Sequence, residues 1–284
     1  INMITTNIGQ RYFIIKLKME RKRVKQAILV VSFGTSYNES RELTIGAIEN
    51  AIGEAYPDYE VRRAFTSQMI INKLKKRDGI EIDNVKEAAA KAVADGVQTL
   101  IVQPTHLMDG FEYMELIRDL EGYRNKFGRF KIAAPLLSSD EDFRAVIKAI
   151  VSMTAEYDDG NTAICFMGHG TGADANAVYP RLQKEMMEAG YRNYYIGTVE
   201  AAPTLEDLIV QTSEKKDYKR VVLQPLMVVA GDHAHNDMAG EEEDSWKQRF
   251  EAEGYEVECV IRGLGEFPAI REIYVAHTKS AIDD

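Results

Sequence analysis

The sequence of 284 residues is poor in the residue types that mark several protein classes: it has two cysteines, one tryptophan and no long apolar run. Cys165 and Cys259 each lie alone within an apolar stretch, which excludes a disulfide framework and paired-cysteine zinc sites. No run approaches the ~18 to 20 apolar residues that a membrane-spanning helix needs. The net charge of −10 leaves little basic surface for a nucleic-acid backbone. We therefore expect a soluble, cytoplasmic protein without a nucleic-acid or membrane partner.

The sequence also lacks the fingerprints of common nucleotide-binding and hydrolytic enzymes. The turn Gly34-Thr35-Ser36 follows the first apolar run, but no Gly-Lys-Ser/Thr follows it, and no dinucleotide-binding glycine pattern is present there. A serine nucleophile elbow is absent as well. We expect no organic cofactor, whereas a hydrolase that uses metal-bound water stays open at this point.

Short apolar runs alternate with amphipathic segments over most of the chain. The predicted strands cover residues 26–33, 60–65, 97–102, 130–134, 162–167, 193–199, 220–223 and 256–261, and the segments 26–33 and 162–167 are apolar runs typical of buried parallel strands. Helical periodicity separates them and also covers the last segment, from Phe267. This alternation predicts an α/β fold with parallel sheets and helices on both faces. Residues 1–24 are expected to form an N-terminal extension outside the fold.

The order of the elements repeats in the second half of the chain. The distance along the chain from Asp83, the predicted cap of a helix, to Pro104 equals the distance from Thr204 to Pro225, and both segments end in Gln-Pro. Such an internal duplication predicts two similar lobes, each a parallel four-stranded sheet flanked by helices.

We predict that residues 25–141 form the N-terminal lobe and residues 142–284 the C-terminal lobe, with the active site in the cleft between them. The pattern leaves open whether the last helix packs on the second lobe or crosses back to the first.

Polar side chains gather where the strands of the second half end. The segment from Leu226 to Asp237, LMVVAGDHAHND, breaks an apolar run at a glycine and then presents His233. His169 lies between two glycines after another apolar run, and Glu200 follows a third. Ligands of α/β proteins bind beyond the carboxyl ends of the strands. Two imidazoles and a carboxylate there predict an open, three-ligand site for a divalent ion such as Co²⁺, Ni²⁺, Fe²⁺ or Zn²⁺.

Two of these three residues also have a purely structural explanation, whereas His233 is the strongest candidate. His169 could simply occupy a tight turn, and Glu200 could stabilise the start of a helix through the helix dipole. His235 fits a supporting or loop position as well as a ligand. His106 fits equally a polar cleft wall and an ordinary loop, and His277 fits a structural role in the last helix.

The register of the repeat places residues of the first lobe opposite the candidate ligands. Phe33 corresponds to His169, and Glu112 corresponds to His233. The first lobe is therefore expected to supply an apolar wall and a carboxylate, and the second lobe most of the polar chemistry.

Five motifs in this order resemble a known family. VSFGTS, QPTHLMDGFEY, GHGT, GTVEAAP and QPLMVVAGDHAHND, spread from Lys25 to the end of the chain, resemble the sirohydrochlorin cobaltochelatases of the anaerobic pathway, which belong to the class II chelatase superfamily. The resemblance implies insertion of Co²⁺ into sirohydrochlorin, an eight-carboxylate tetrapyrrole, in cobalamin (vitamin B12) biosynthesis.

The resemblance also implies roles for individual residues. His169 and His233 would bind the metal and accept protons, Glu200 would be the third metal ligand, and Glu112 would be the catalytic acid of the mid-chain motif. This agrees with elementary chemistry, because insertion removes two pyrrole N–H protons while a metal is handed over. Histidine suits both tasks, since its ordinary pKa of about 6.5 lies near neutral pH.

The substrate is expected to lie between the lobes against an apolar wall and a polar turn. The predicted substrate-binding residues are Phe33, Gly34, Thr35, Ser36, Leu107, Met108 and His235. An acidic protein that binds an octacarboxylate needs local cations or helix N-termini. We expect Arg62, Arg63 and the hydroxyl groups of Ser32, Thr35 and Ser36 to supply these contacts.

Two questions about function stay open at the level of sequence. The ligand types accept Fe²⁺ as well as Co²⁺, so a ferrochelatase that makes siroheme is an alternative, and Ni²⁺ or Zn²⁺ are possible in vitro. A non-catalytic carrier of metal or tetrapyrrole is a second alternative, although a catalytic acid across the cleft favours an enzyme. The sequence is compatible with a homo-oligomer and does not decide the oligomeric state.

Overall fold

A computed structural model describes residues 25–214 and 218–284. These residues form two parallel sheets of four strands. The first sheet contains β1 (Gln26–Ser32), β2 (Glu60–Phe65), β3 (Thr99–Pro104) and β4 (Arg129–Ile132). The second contains β5 (Thr162–Gly168), β6 (Tyr194–Thr198), β7 (Arg220–Pro225) and β8 (Glu256–Cys259). The predicted α/β fold is confirmed, and the predicted extension 1–24 lies outside the described residues.

Helices connect the strands in both halves. In the first half these are α1 (Asn38–Arg41), α2 (Ala47–Ala55), α3 (Gln68–Asp78), α4 (Val85–Ala94) and α5 (Phe111–Leu120). In the second half they are α6 (Asp140–Met153), α7 (Val178–Glu188), α8 (Leu205–Glu214), α9 (Trp246–Ala252) and α10 (Pro268–Asp283). Two short π-helical segments, Glu42–Gly46 and Ala234–Met238, complete the helical structure near the cleft.

The two sheets repeat one topology, which confirms the duplication. Their strand orders are β2-β1-β3-β4 and β6-β5-β7-β8. The repeated Gln-Pro pairs occupy equivalent places, because Gln103 lies opposite Val30 and Gln224 lies opposite Phe166. The predicted site residues follow the carboxyl ends of β1 and β3 in the first sheet and of β5, β6 and β7 in the second.

One predicted helix cap is displaced by one residue. Asn84, not Asp83, caps α4, because its side chain accepts from the backbone N–H of Glu87 and the Glu87 carboxylate accepts in return. Thr204 caps α8 as predicted, through a reciprocal pair of bonds with Asp207. A capping box satisfies two otherwise unpaired helix donors, and the spacing Asn84-x-x-Glu87 provides one where Asp83 does not.

The hydrophobic core is continuous between the halves. One cluster of buried side chains joins Ile28 and Ile101 of the first sheet to Ile164 and Phe166 of the second. Each such side chain stabilises the fold by about 1.5–3 kcal/mol when it is withdrawn from water. The two sheets consequently share a packed interior behind the cleft.

The last helix crosses from the second sheet back to the first. The Tyr274 hydroxyl of α10 donates to the backbone oxygen of Thr105 at 2.8 Å, and the Thr278 hydroxyl donates to the Gln103 side chain at 2.9 Å. α10 also packs on α2 and α6. This answers the question that the sequence left open about the final segment.

Within the described parts of the chain, no helix combines the length and the apolar character needed to cross a membrane.

Candidate active site

Three potential metal ligands meet at the ends of neighbouring strands in the second sheet. His169 follows β5, Glu200 follows β6, and His233 lies in the loop after β7. Each offers one ligand atom, and these atoms all lie within 4.8 Å of one another. The His169 and His233 rings meet edge to face with centroids 4.8 Å apart, and His169 Nδ1 lies 3.8 Å from a Glu200 carboxylate oxygen. The sequence-predicted metal ligands are thus close enough to hold one ion together.

The backbone around Gly170 fixes the orientation of His169. His169 Nδ1 lies 2.9 Å from the Gly170 backbone oxygen, which leaves Nε2 free to bind a metal when Nδ1 carries the proton. Gly170 has φ +86°, and a Cβ there would lie 2.8 Å from the Ala201 backbone nitrogen. Only glycine fits this turn without strain, because it tolerates positive φ and has no Cβ.

A carboxylate one helical turn away orients His233. The Nδ1 atom of His233 lies 2.6 Å from the Asp237 carboxylate, within a segment that continues into the π-helical turn Ala234–Met238. This pair directs Nε2 of His233 away from Asp237, in the arrangement that is common for metal-binding histidines. Sequence reasoning gave Asp237 no role, although the i, i+4 spacing was a readable signal.

Glu112 faces the metal-ligand cluster from the first lobe. It lies in the first turn of α5, and its side chain is 47% exposed. Partial burial raises its pKa above the ordinary value, with a smaller raising effect from Glu115 and Glu200, while His169 acts in the opposite direction. A carboxylate with a raised pKa is a stronger proton acceptor than an ordinary one.

The predicted substrate-binding turn exposes only its first residue. The Phe33 side chain is 42% exposed, whereas Thr35 and Ser36 are buried. The Thr35 hydroxyl already accepts from the Tyr37 backbone N–H at 3.2 Å. Ser32 is buried too, and its hydroxyl accepts from Thr105 at 2.8 Å. The accessible part of this turn is therefore the Phe33 ring, since Gly34 is buried as well.

Two further predicted contacts, Leu107 and Met108, are partly buried against the central hydrophobic cluster. They follow His106 in the loop after β3. Their position makes this side of the cleft apolar.

Aromatic residues that the sequence did not single out line both edges of the cleft. The Tyr37 ring of the first lobe stacks on His235 with centroids 4.4 Å apart and planes 2° from parallel. On the other edge, Phe111 is 65% exposed and lies next to Gly172, where an added Cβ would be 3.8 Å from the ring. A stacking partner four residues after Phe33 has no distinctive sequence signal, since tyrosine is common in loops.

The arginines expected to receive substrate carboxylates are occupied by the protein's own acids. Arg62 pairs with Glu60 at 3.0 Å and with Asp95 at 2.8 Å. Arg63 forms a two-point pair with Glu49 at 2.6 and 2.7 Å. Their charges are therefore largely neutralised before any substrate arrives.

The two histidines of uncertain role have different environments. His106 is buried beside Glu112, with its Nε2 atom 3.9 Å from the Glu112 carboxylate. His277 bonds Asp142 at 2.8 Å and contacts the Ala134 backbone oxygen at 3.2 Å. His277 thus ties α10 to the start of α6, which agrees with the structural role expected for it.

Comparison with known proteins identifies the family. The family model described as Cobalt chelatase (CbiK) matches residues 26–283. This chain belongs to the cobalt chelatase (CbiK) family. A sirohydrochlorin cobaltochelatase of Salmonella typhimurium is 41% identical over 260 residues, which cover 92% of this chain and 97% of the relative. The sirohydrochlorin cobaltochelatase CbiKC of Nitratidesulfovibrio vulgaris is 31% identical and covers 91% of each chain.

Solved structures support the chelatase fold of this family member. SirB from Bacillus subtilis with Fe³⁺ superposes with a TM-score of 0.60 at 15% identity, covering 90% of this chain and 95% of SirB. CbiX, described as the terminal enzyme of siroheme biosynthesis in denitrifying bacteria, gives a TM-score of 0.53 at 16% identity and covers 90% of this chain and 99% of CbiX. At such low identity these similarities concern the fold alone.

Proposed function

We propose that this cobalt chelatase inserts Co²⁺ into sirohydrochlorin, as a cytoplasmic step of cobalamin biosynthesis. The observation that carries the proposal is the cluster of His169, Glu200 and His233, whose ligand atoms lie within 4.8 Å of one another in an open cleft. The sirohydrochlorin cobaltochelatases that are 41% and 31% identical over most of their length support the same reaction. Co²⁺ is a substrate here, since it leaves with the product.

The histidines and Glu200 hold the metal before insertion. Nitrogen and carboxylate donors suit divalent first-row ions, and three protein ligands leave coordination positions for the incoming macrocycle. Asp237 holds the His233 ring through Nδ1. The ring therefore keeps its orientation while Nε2 exchanges the metal for solvent or a proton. All three ligand side chains are partly exposed, so a metal can reach them and can leave again.

Proton removal is assigned to both sides of the cleft. The macrocycle loses two pyrrole protons for each metal it receives, and each proton needs an acceptor within hydrogen-bond reach. Glu112 is the acceptor on the first lobe, where its raised pKa favours proton uptake. On the second lobe His169 and His233 become free to accept protons once the ion has passed to the pyrrole nitrogens.

The apolar part of the cleft receives the face of the tetrapyrrole. Phe33 supplies an exposed ring in the loop after β1, and Leu107 and Met108 add apolar side chains in the loop after β3. The proposal also assigns substrate binding to the turn Gly34 to Ser36, which follows Phe33, and to the His235 ring, which stacks on Tyr37. Because Arg62 and Arg63 are already paired with acids, backbone N–H groups are the donors that this proposal assigns to the substrate carboxylates.

The test is anaerobic incubation of the purified protein with sirohydrochlorin and Co²⁺, followed by the absorption spectrum of the tetrapyrrole. We expect turnover above the metal-only background, and its loss in His169→Ala and His233→Ala. His277→Gln is the matched control, because His277 is a histidine outside the cluster. Faster turnover with Fe²⁺ than with Co²⁺ would point to a ferrochelatase, and tight tetrapyrrole binding without turnover would point to a carrier.

A further inference from the structure

His106 has an unusual environment for an ionisable side chain. The side chain is only 8% exposed. Among the described residues, neither ring nitrogen of His106 has a hydrogen-bond partner. A buried polar atom without a partner destabilises a protein, so such atoms commonly have a reason in function.

The backbone on both sides holds this ring in its place. The Thr105 N–H donates to the Val31 backbone oxygen at 2.8 Å, and the Leu136 N–H donates to the His106 backbone oxygen at 2.9 Å. The ring itself lies edge-on to Tyr113, with centroids 6.3 Å apart. His106 is therefore fixed beneath the cleft.

The nearest carboxylate is that of Glu112. The distance from His106 Nε2 to the Glu112 oxygen is 3.9 Å, which is too long for a hydrogen bond but is closed by a small movement of the longer side chain. Burial lowers the pKa of His106 to about 4, so the ring is neutral at physiological pH. A neutral imidazole still offers one N–H donor.

We propose that His106 is a positioning residue, which donates its Nε2–H to the Glu112 carboxylate when substrate fills the cleft and so aims Glu112 at the pyrrole protons. The proposal rests on the proton-accepting role given to Glu112 under the proposed function. It explains why an imidazole is buried without partners next to a half-exposed acid.

A neutral donor suits this place better than a cation. Glu112 also senses the charges of His169 and Glu200, so it lies near the expected path of the metal. A lysine or arginine beneath it would repel the incoming divalent ion and would hold the acid in a permanent ion pair. A neutral imidazole orients the carboxylate without adding charge.

Three substitutions separate positioning from packing. In His106→Gln an amide N–H can occupy the place of Nε2, in His106→Asn it can reach only the place of Nδ1, and His106→Met fills the volume without a donor. Folding of each variant is checked by thermal unfolding. We expect His106→Gln to keep kcat within a few-fold, while Asn and Met lower kcat by roughly tenfold or more with KM nearly unchanged, as befits a step that assists proton transfer.

The deciding measurement repeats His106→Met and His106→Gln in a Glu112→Gln background. If His106 acts through Glu112, both double variants will have the activity of Glu112→Gln alone, because the effects of one pathway do not add. Full activity of His106→Met, or the same loss in both backgrounds, would overturn the positioning role while leaving the chelatase function intact. Absence of wild-type turnover would overturn both proposals.

Discussion

His233 and Asp237 form a hydrogen-bonded pair, with 2.6 Å between imidazole Nδ1 and carboxylate oxygen, one turn apart in the loop after β7. The pair joins a predicted metal ligand, His233, to a carboxylate that orients its ring. Such supporting carboxylates fix both the ring orientation and the tautomer of a metal-binding histidine.

Replacing Asp237 by asparagine should weaken Co²⁺ binding without unfolding the protein. The neutral amide oxygen is a weaker acceptor for the Nδ1–H of His233 than the charged carboxylate is. We therefore expect metal affinity to fall by about 10- to 100-fold. Calorimetric titration with Co²⁺ measures it. Asp283→Asn, which changes another acid at i, i+4 from its partner, is the control and should bind as wild type does. Equal affinities in both variants would contradict the orienting role.

Gly170→Ala should damage the site more than the same change at another glycine of positive φ. Gly190 has φ +97° with open space around it, whereas Gly170 has both positive φ and a backbone nitrogen in the way. We expect Gly190→Ala to lower the free energy of unfolding by about 1–2 kcal/mol. Gly170→Ala should lower it further and should also reduce Co²⁺ affinity, because His169 moves. Urea unfolding and metal titration of both variants test this, and equal effects would refute it.

The stack of Tyr37 on His235 should contribute to the association of the two lobes. Tyr37→Ala removes the stacked ring, and such a pair is worth about 0.5–1.5 kcal/mol of unfolding free energy. Tyr37→Phe keeps the ring and loses only the hydroxyl, whose contact with Asp232 is 3.5 Å long. We therefore expect a measurable loss for alanine and almost none for phenylalanine in chemical unfolding. A loss of the same size in both variants would show that the hydroxyl, not the stack, matters.

The bond between His277 and Asp142 should make stability depend on pH in the acidic range. Burial acts to raise the pKa of Asp142, but hydrogen bonds from His277 and Ser139 prevail and the pKa lies below the ordinary value. A depressed carboxyl pKa stabilises the fold above the unfolded pKa of about 4, and this contribution disappears as the pH falls through the folded value.

Asp142→Asn should consequently destabilise the protein by about 2 kcal/mol at pH 7 and by much less at pH 3. Unfolding in urea at the two pH values measures the difference. The exposed Asp140→Asn serves as the control, because its partner Arg181 is a surface cation. If the difference in unfolding free energy between wild type and Asp142→Asn is as large at pH 3 as at pH 7, the ionised Asp142 carboxylate is not the source of the pH dependence.

His106 should lower stability in the same direction as Asp142, as the pH falls, but at milder acidity. Burial lowers its folded pKa to about 4, whereas an unfolded histidine titrates near 6.5. The unfolded state therefore binds the proton first, and stability falls between pH ~6.5 and pH ~4 by about 3 kcal/mol in total. From pH 7 to pH 5 the wild type should lose about 2 kcal/mol more unfolding free energy than His106→Gln, because glutamine does not titrate. A constant difference between the two would mean that the ring is hydrated in solution.

The fold was readable from the sequence because its strongest signals are local. Continuous apolar runs predicted the central strands β1 and β5, which are buried along almost their whole length. The alternation of strands and helices predicted the remaining strands, including β2, β4 and β8, which are less buried. The equal spacing to Pro104 and Pro225 predicted the duplication. The cap of α4 was wrong by one residue because Asp83 and Asn84 are both good caps, and the choice depended on Glu87.

The site was readable only in part, because its remaining features depend on distant packing. Strand ends located His169, Glu200 and His233, whose proximity is confirmed as a geometric fact. No local pattern shows that His106 is buried without partners or that Tyr37 stacks on a residue almost two hundred positions later. These properties arise when the lobes meet.

The path of α10 predicts that the two halves of the chain do not fold independently. Its Tyr274 and Thr278 reach polar groups at the end of β3, which would face solvent or an empty groove if residues 25–141 were produced alone. If the two halves were expressed separately, the Thr105 backbone oxygen and the Gln103 side chain would lack their hydrogen-bond donors from α10. The helix α10 would in turn lack the elements of the first half on which it packs. The two sheets repeat one topology, but the contacts of α10 with the end of β3 predict that both repeats fold as one unit.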